Sequence, residues 1–359
     1  MKILQVGFSS NPGGVENVII NYYRNIDKNE IQFDFLDMYD EGIAFSDEIE
    51  NYGGKIISIG NYKRNPISAY LKLISLIKKN NYDVVHIHMQ SAANILPVVA
   101  SLVCKCKTIC HSHSSSTPKG IARKIMHEIN KKIIRKMNVY KWACGEKAGK
   151  WMWGDEFDEN NIIVNAIDSE KFIQNSLVRE KIRNKCGFSS NDKVIGFIGR
   201  FGEEKNVFFL IDILEELIKM DDNYKLLTVG GNELYDKFYD SICRKGLKNH
   251  YYSAGIQRVA IDWYKAMDAF LLPSYFEGFP MVALEAQATG LPCFLSERIS
   301  KEIDVTKSIT FLSLDDASVW AEAIISYKKD NINTFPMKYM ITNATDKLTE
   351  LYKEIKEGN

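Results

Sequence analysis

The chain reads as two successive α/β domains, each built on a parallel sheet, and three observations predict it. Short apolar runs alternate with helical patterns of ten or more residues, and that alternation implies parallel strands joined by right-handed crossovers. The alternation pauses at I-I-V-N-A-I-D, residues 162–168, and then restarts. A length of 359 residues is long for one core and comfortable for two. The expected boundaries are 1–165 and 166–340, followed by a C-terminal helix over 341–359 for which packing back on the N-terminal domain is one arrangement.

Ile3, Leu4, Val6 and Phe8 form a first strand that ends at N-P-G-G and is followed by the helical pattern V-E-N-V-I-I-N-Y-Y. F-D-F-L and K-I-I-S-I read as strands, S-A-Y-L-K-L-I-S-L-I-K-K as a helix, and D-V-V-H-I-H as a strand. A helix near Leu96 to Leu102 and the strand K-T-I-C-H come next. After the pause come K-V-I-G-F-I-G-R-F as strand and turn, a helix from about Asn206 to Lys219, and the strand Y-K-L-L-T-V-G-G. A helix at Leu234 to Arg244, a short strand near Tyr251, a helix at Asp262 to Ala266 and the strand A-F-L-L complete the pattern. Two such domains facing each other would place a ligand crevice at the carboxyl ends of their strands.

Apolar residues make up 45% and charged residues 26%, which excludes disordered and fibrous classes. The N-terminus lacks the basic and apolar regions of an export signal, and no window is long and apolar enough for a transmembrane helix. Seven cysteines without a C-x-x-C pair fit reduced, buried thiols in the cytoplasm. Net charge is zero, but residues 1–165 hold 21 Lys/Arg against 17 Asp/Glu. Much of that excess lies between Lys119 and Lys136, where seven basic residues face a single acid, Glu128.

S-Y-F-E-G-F-P-M-V-A-L-E holds two glutamates around a proline. Proline is favoured in a first helical turn and costly inside a helix, so a helix is expected to begin near Phe279 or Pro280. Glu277 then lies in the preceding loop and Glu285 about a turn and a half into the helix. A helix start preceded by glycine binds anions. A phosphate fits beside Gly278, Phe279, Pro280, Met281 and Val282, with Glu277 and Glu285 accepting from hydroxyls on either side. The alternative is that Glu277 caps the helix and Glu285 is solvated. In G-F-I-G-R-F-G-E-E-K-N, Arg200 and Lys205 are two cations at the end of a strand, Lys205 at the start of the next helix; a fork and a point charge suit a diphosphate. The alternative pairs Lys205 with Glu203 or Glu204.

The set G-R-F-x3-K-N, V-G-G and E-G-F-P-M-V-A-L-E, with G-G-V-E after the first strand, V-V-H-I-H, and I-I-V-N-A-I-D at the junction, resembles the family 4 retaining glycosyltransferases. The likeness spans nearly the whole chain. A-C-G-E-K-A-G-K-W-M-W-G and F-L-S-E-R-I-S-K-E-I-D-V-T are similar to the branch that builds bacterial capsular and exopolysaccharides. The resemblance implies the GT-B fold, two Rossmann-like α/β domains facing a central cleft. It also implies metal-independent transfer of a hexose or N-acetylhexosamine from a nucleotide sugar, with UDP the commonest nucleotide, to a glycan or lipid-linked glycan. No cofactor, metal or nucleic-acid partner is expected.

By the same resemblance, Arg200 and Lys205 would hold the donor diphosphate, Glu285 the ribose hydroxyls, Glu277 the hydroxyls of the transferred sugar, and the backbone of Gly278 to Val282 the sugar and phosphate. Gly13 and Gly14 would let the first loop approach the donor phosphate and the acceptor without side-chain obstruction, and His113 would make a donor-sugar or active-site contact. One departure is G-G-N-E at Gly230 to Glu233, where the family often has G-x-G-x-P.

His86/His88 and His111/His113 form two H-x-H pairs at strand ends, where i and i+2 share a side. Metal ligation by four imidazoles is the sharper alternative to satisfied core histidines. Ile121, Ile125, Met126, Ile129, Ile133 and Ile134 recur at helical spacing among the basic residues, as in a helix lying on an anionic membrane surface or in an ordinary helix with a solvated basic face. The membrane alternative puts the protein at the inner face of the plasma membrane. Two other functions stay open: a metal- or carboxylate-dependent glycan hydrolase using the glutamates as acid and base, and a nucleotide-sugar-binding protein without turnover.

Overall fold

The structure, a computed structural model, describes residues 1–257, 259–328 and 334–358. The chain divides into two compact units, Met1–Ala166 with Lys338–Asn359, and Ile167–Met337. It leaves the first unit once and returns to it.

In the first unit, β1 (Lys2–Val6), β2 (Gln32–Asp37), β3 (Ile56–Ser58), β4 (Val84–Met89), β5 (Lys107–Ser112) and β6 (Tyr140–Ala143) form one sheet in the order β3-β2-β1-β4-β5-β6. All its pairings are parallel. Between them run α1 (Gly14–Asn25), α2 (Ser46–Asn51), α3 (Pro66–Asn80), α4 (Leu96–Val103) and α5 (Ile121–Arg135), with α6 (Glu146–Trp153) after the last strand. All six residues of β4 are buried. A parallel strand covered by helices on both faces has no wet side, so even His86 and His88 are enclosed among its apolar residues. α3 starts where Asn65 accepts from the Ser68 N–H with Pro66 in the first turn, and stops at Asn81, whose φ of 50° leaves the helical region.

In the second unit, β7 (Lys193–Arg200), β8 (Tyr224–Gly231), β9 (Tyr251–Ser253), β10 (Ala269–Leu272), β11 (Cys293–Ser296) and β12 (Ile309–Leu312) form a parallel sheet in the order β12-β11-β10-β7-β8-β9. Its helices are α7 (Ser176–Cys186), α8 (Phe209–Met220), α9 (Tyr235–Arg244), α10 (Ile261–Ala266), α11 (Met281–Ala288) and α12 (Ala317–Ser326). The last helix, α13 (Ile341–Glu357), belongs to the first unit and buries Ile341, Ala344, Leu348, Tyr352 and Ile355 there.

Each sheet reverses strand order once, between β1 and β4 in the first unit and between β7 and β10 in the second. In open α/β sheets the crevice for a ligand opens at the carboxyl ends of such neighbouring strands. Three expectations shift. The helix expected from Asn206 begins at Phe209, because Asn206 takes a left-handed φ of 51°. The helix expected near Phe279 or Pro280 begins at Met281, with Pro280 as its N-cap. The second unit runs 167–337 rather than 166–340.

Candidate active site

β7 ends on Arg200, and its neighbour β10 leads into the loop that carries Glu277. The reversal of strand order therefore brings together Lys205 and Glu277, 72 residues apart in sequence: Lys205 Nζ donates to Glu277 Oε1 at 2.6 Å. Ser274 Oγ donates to the same oxygen at 2.8 Å. The pair is mostly enclosed, with the two side chains 19% and 11% exposed. Neither alternative for these residues holds. Lys205 does not pair with Glu203 or Glu204, and Pro280, not Glu277, is the N-cap of α11, which has no side-chain cap. Lys205 also stands in a 3-10 turn, Glu203–Lys205, ahead of α8 rather than at its first turn.

Arg200 is half exposed and donates to the Glu204 carboxylate, with Glu233 Oε2 at 3.7 Å from its other terminal nitrogen. Exposed pairs of this kind contribute under about 1 kcal/mol. A diphosphate, offering fork-matched oxygens, can displace them.

Glu285 lies one and a half turns into α11 and is half-buried rather than freely solvated. Tyr264 Oη donates to its Oε2 at 2.7 Å. Burial pushes the Glu285 carboxyl up to about 7, against the lowering effect of the Tyr264 hydrogen bond. Burial and the facing carboxylate push the Tyr264 phenol well above its ordinary range. Beside β8 a cavity of about 460 Å³ is lined by Gly230, Gly231, Asn232, Tyr235, Asp236 and the segment Ser253 to Ile256. Register pairs Arg200 with Gly231, so this cavity adjoins the Arg200 end of β7.

In the first unit, the loop after β1 is tied by Glu16. Its carboxylate accepts from Ser9 N at 3.0 Å, Ser9 Oγ at 2.7 Å and Gly13 N at 3.2 Å. A Cβ on Gly13 would come within 2.8 Å of Glu16 Oε2, whereas one on Gly14 would meet nothing within 4 Å. A side chain at Gly13 would therefore displace the Glu16 carboxylate from the bonds that tie the loop, whereas Gly14 borders open space. β4 and β5 bring the four histidines together in two hydrogen-bonded pairs. His88 Nδ1 lies 2.9 Å from His113 Nε2, and His86 Nε2 lies 3.2 Å from His111 Nδ1. Gln5 Oε1 sits 2.7 Å from His88 Nε2, and Tyr352 Oη 2.6 Å from His86 Nδ1. Burial holds His86, His88 and His111 neutral, well below the ordinary imidazole range, and pushes His113 down to about 3.

Two family models match the chain: Glycosyltransferase Family 4 over residues 12–144 and Glycosyl transferases group 1 over residues 178–346. EpsF of Bacillus subtilis (strain 168), assigned as a glycosyltransferase, is 30% identical over 334 residues, covering 90% of this chain and 86% of EpsF. The chain belongs to the family 4 glycosyltransferases. The UDP-Gal:alpha-D-GlcNAc-diphosphoundecaprenol alpha-1,3-galactosyltransferase of Escherichia coli is 25% identical over 309 residues, 80% of this chain and 79% of that one. The Anabaena protein HepE, crystallised in complex with UDP, shares the fold at a TM-score of 0.76 and 17% identity, covering 99% of this chain and 98% of its own. The GT-B fold, with two Rossmann-like domains, follows.

Within this glycosyltransferase, Arg200, Lys205, Glu277, the start of α11 and Glu285 belong to one unit, while Gly13, Gly14 and His113 belong to the other. Tyr264 and the cavity residues Tyr235, Asp236 and Ser253 to Ile256 are additions to the expected set. The short strand near Tyr251 was a signal for the last group, since ligands collect at carboxyl ends of strands; nothing local marks Tyr264. His111 Nδ1 pairs with His86 and the ring also meets the Ala143 backbone, while its buried Nε2 makes no well-formed hydrogen bond among the described residues. His86, His88 and His111 bring ring nitrogens within 4.8 Å of one another, close enough to share a metal ion. The cavity they border is about 20 Å³ and no carboxylate lines it, so a dication there would lack a neutralising partner.

Proposed function

We propose that this glycosyltransferase is a retaining, metal-independent hexosyl- or N-acetylhexosaminyltransferase. Its donor is a UDP-sugar and its acceptor a glycan or lipid-linked glycan in surface-polysaccharide synthesis, at the cytoplasmic face of the membrane. The observation that carries the reading is the junction of Lys205 and Glu277 at the β7/β10 reversal, with Arg200 beside it and an uncapped helix start at Met281.

Breaking a sugar–phosphate bond develops negative charge on the leaving diphosphate and positive charge on the anomeric carbon. Arg200, Lys205 and the first N–H groups of α11 are prearranged for the first, and such prearrangement supplies the largest rate contribution in comparable sites. The acceptor oxygen attacks the anomeric carbon on the face the phosphate leaves. The C–O electron pair passes to the terminal phosphate oxygen, and that oxygen takes the acceptor proton, so UDP departs and the configuration is kept. No protein base is needed. Glu277 holds hydroxyls of the sugar and Glu285 the ribose hydroxyls, with the cavity beside Gly230 and Gly231 taking the base. His113 contacts the sugar through the nitrogen that His88 does not use. The E. coli galactosyltransferase, named for a UDP-Gal donor and a diphosphoundecaprenol acceptor, supports the donor and acceptor classes.

The test is release of UDP from a panel of UDP-sugars with and without a diphosphoundecaprenol-linked sugar, followed by NMR of the new anomeric centre. Acceptor-dependent release, an unchanged anomeric configuration and full activity with a chelator present are expected. Acceptor-independent hydrolysis, an inverted product or loss of activity to the chelator overturns the corresponding part.

A further inference from the structure

We propose that α5 docks this glycosyltransferase onto an anionic lipid surface, with Ile121, Ile125, Met126, Ile129 and Ile133 inserted into the boundary between headgroups and acyl chains. The inference names the membrane element for the lipid-linked acceptor and rests on that reading.

Two faces of α5 differ in kind. Toward the protein, His127 and Ile134 are fully buried; the Ala92 N–H donates to His127 Nδ1 at 2.9 Å and the His127 ring stacks on Trp151 at 4.6 Å. Asn130 Nδ2 donates to the Ala92 carbonyl at 2.9 Å, and Arg135 Nε to the Met152 carbonyl at 2.8 Å. These bonds fix the rotation of the helix about its axis. At 100° per residue, the five apolar side chains then fall on the opposite side. They are exposed by 78% (Ile121), 55% (Ile125), 50% (Met126), 53% (Ile129) and 43% (Ile133). Scattered exposed apolar residues need no explanation, but five on one helix face do.

Charge selects the occupant. Seven basic residues stand between Lys119 and Lys136, and the single acid, Glu128, is held by Lys131 at 3.0 Å. Lys63 lies 4.7 Å over the Tyr39 ring, and although burial pushes the Tyr39 phenol up to about 12, Arg123 is close enough to act on it in the opposite sense, so the basic rim continues past the helix. A second copy of this chain would set that excess against an equal one, and an ordinary solvated face would not carry the apolar row. An anionic bilayer satisfies both at once: apolar side chains enter the boundary while cations stay at the phosphates. Among the described residues no helix is long and apolar enough to cross a membrane, so docking here is peripheral. The segment 114–120 alone joins His113 to α5, which holds the proposed sugar-contacting residue within one short loop of the lipid surface.

The experiment is vesicle co-sedimentation of the full chain, with phosphatidylglycerol mixed into phosphatidylcholine against pure phosphatidylcholine, at low and high salt. Wild type is expected on the anionic vesicles only and to release as salt rises. Lys124→Ser and Lys132→Ser should each weaken binding about fivefold, and Ile125→Glu with Ile129→Glu should weaken it at least about tenfold. UDP release with a soluble acceptor and thermal stability should stay at wild-type levels, because all four side chains are on the exposed face. Binding that ignores lipid charge, or that survives the isoleucine substitutions, overturns the proposal. So does light scattering that finds a dimer dissociated by those substitutions, with no vesicle binding. Vesicle binding is read with neither donor nor acceptor present. Failure to turn over any UDP-sugar would therefore overturn the catalytic reading alone, and failure to bind vesicles this one alone.

Discussion

Glu285 titrates near neutrality in the free protein, because burial lifts it to about 7. A carboxyl raised on folding stabilises the protein below its unfolded value and loses that contribution as pH rises through the folded one. Above pH about 7 the fold therefore holds a half-buried carboxylate at some cost in stability, as binding sites often do. Two outcomes follow. Glu285→Gln should melt higher than wild type at about pH 8, with the difference vanishing toward pH 4.5. Affinity for UDP, whose ribose hydroxyls are proposed to bond the ionised carboxylate, should fall by up to about tenfold per pH unit below 7 in wild type. In the variant it should be weaker throughout and follow only the ionisation of the ligand; isothermal titration across the pH range reads both, and parallel profiles would sink the ribose assignment. Glu277 predicts a different split. Glu277→Ala should lower kcat by about 10²-fold or more while UDP affinity, measured without sugar, changes little. Equal losses in kcat and UDP affinity would place Glu277 on the nucleotide instead.

Two glycine-bearing turns separate what the fold needs from what a ligand needs. Gly230, at the end of β8, has a φ of 127°, and a Cβ there would run into the Gly199 carbonyl on the neighbouring strand. Gly230→Ala should cost about 2 kcal/mol or more in urea denaturation and deform the cavity with it. Gly14 opens α1 and a Cβ would meet nothing, so Gly14→Ala should leave stability unchanged or slightly raised and cut turnover. Unchanged turnover would remove Gly14 from the donor site. The same elements explain how far the sequence could be read. β10 was legible because a strand buried on both faces is an unbroken apolar run, here A-F-L-L, and Pro280 and Gly278 marked the turn that follows it. Asn206 looks like any helical residue until its left-handed φ cuts Lys205 away from α8. The Lys205–Glu277 and Tyr264–Glu285 bonds, across 72 and 21 residues, were not visible at all. They are consequences of strand order and helix packing, which local spacing does not encode.

At the scale of the molecule, the return of α13 to the first unit gives the two units different sensitivities. Tyr352 reaches from α13 to His86 Nδ1 at 2.6 Å, Lys353 pairs with Glu30 at 2.7 Å and Lys356 with Asp83 at 3.1 Å. α13 thus packs on the buried histidine cluster through His86, which burial keeps neutral together with His88 and His111. Free imidazoles take up protons below about pH 6.5, and the native rings do so only much further down, at about 3 for His113. These depressed groups leave the stability of the first unit intact above 6.5 and withdraw it as pH falls toward the folded values. The second unit holds Glu285, whose protonation on acidification favours its fold, and holds the proposed UDP contacts. Calorimetry on the full chain should therefore resolve two transitions. Lowering the pH from about 7.5 to 5.5 should depress one of them, by up to about 1.4 kcal/mol per buried histidine per pH unit below 6.5, and spare the other. UDP should raise only the spared transition, by mass action. Leu348→Ala, which empties a buried position of α13, should lower the acid-sensitive transition by about 2 to 4 kcal/mol and leave the response to UDP intact. A single transition that moves with pH, UDP and Leu348→Ala together would mean that the two units melt as one body and that the histidine cluster is coupled to the donor site.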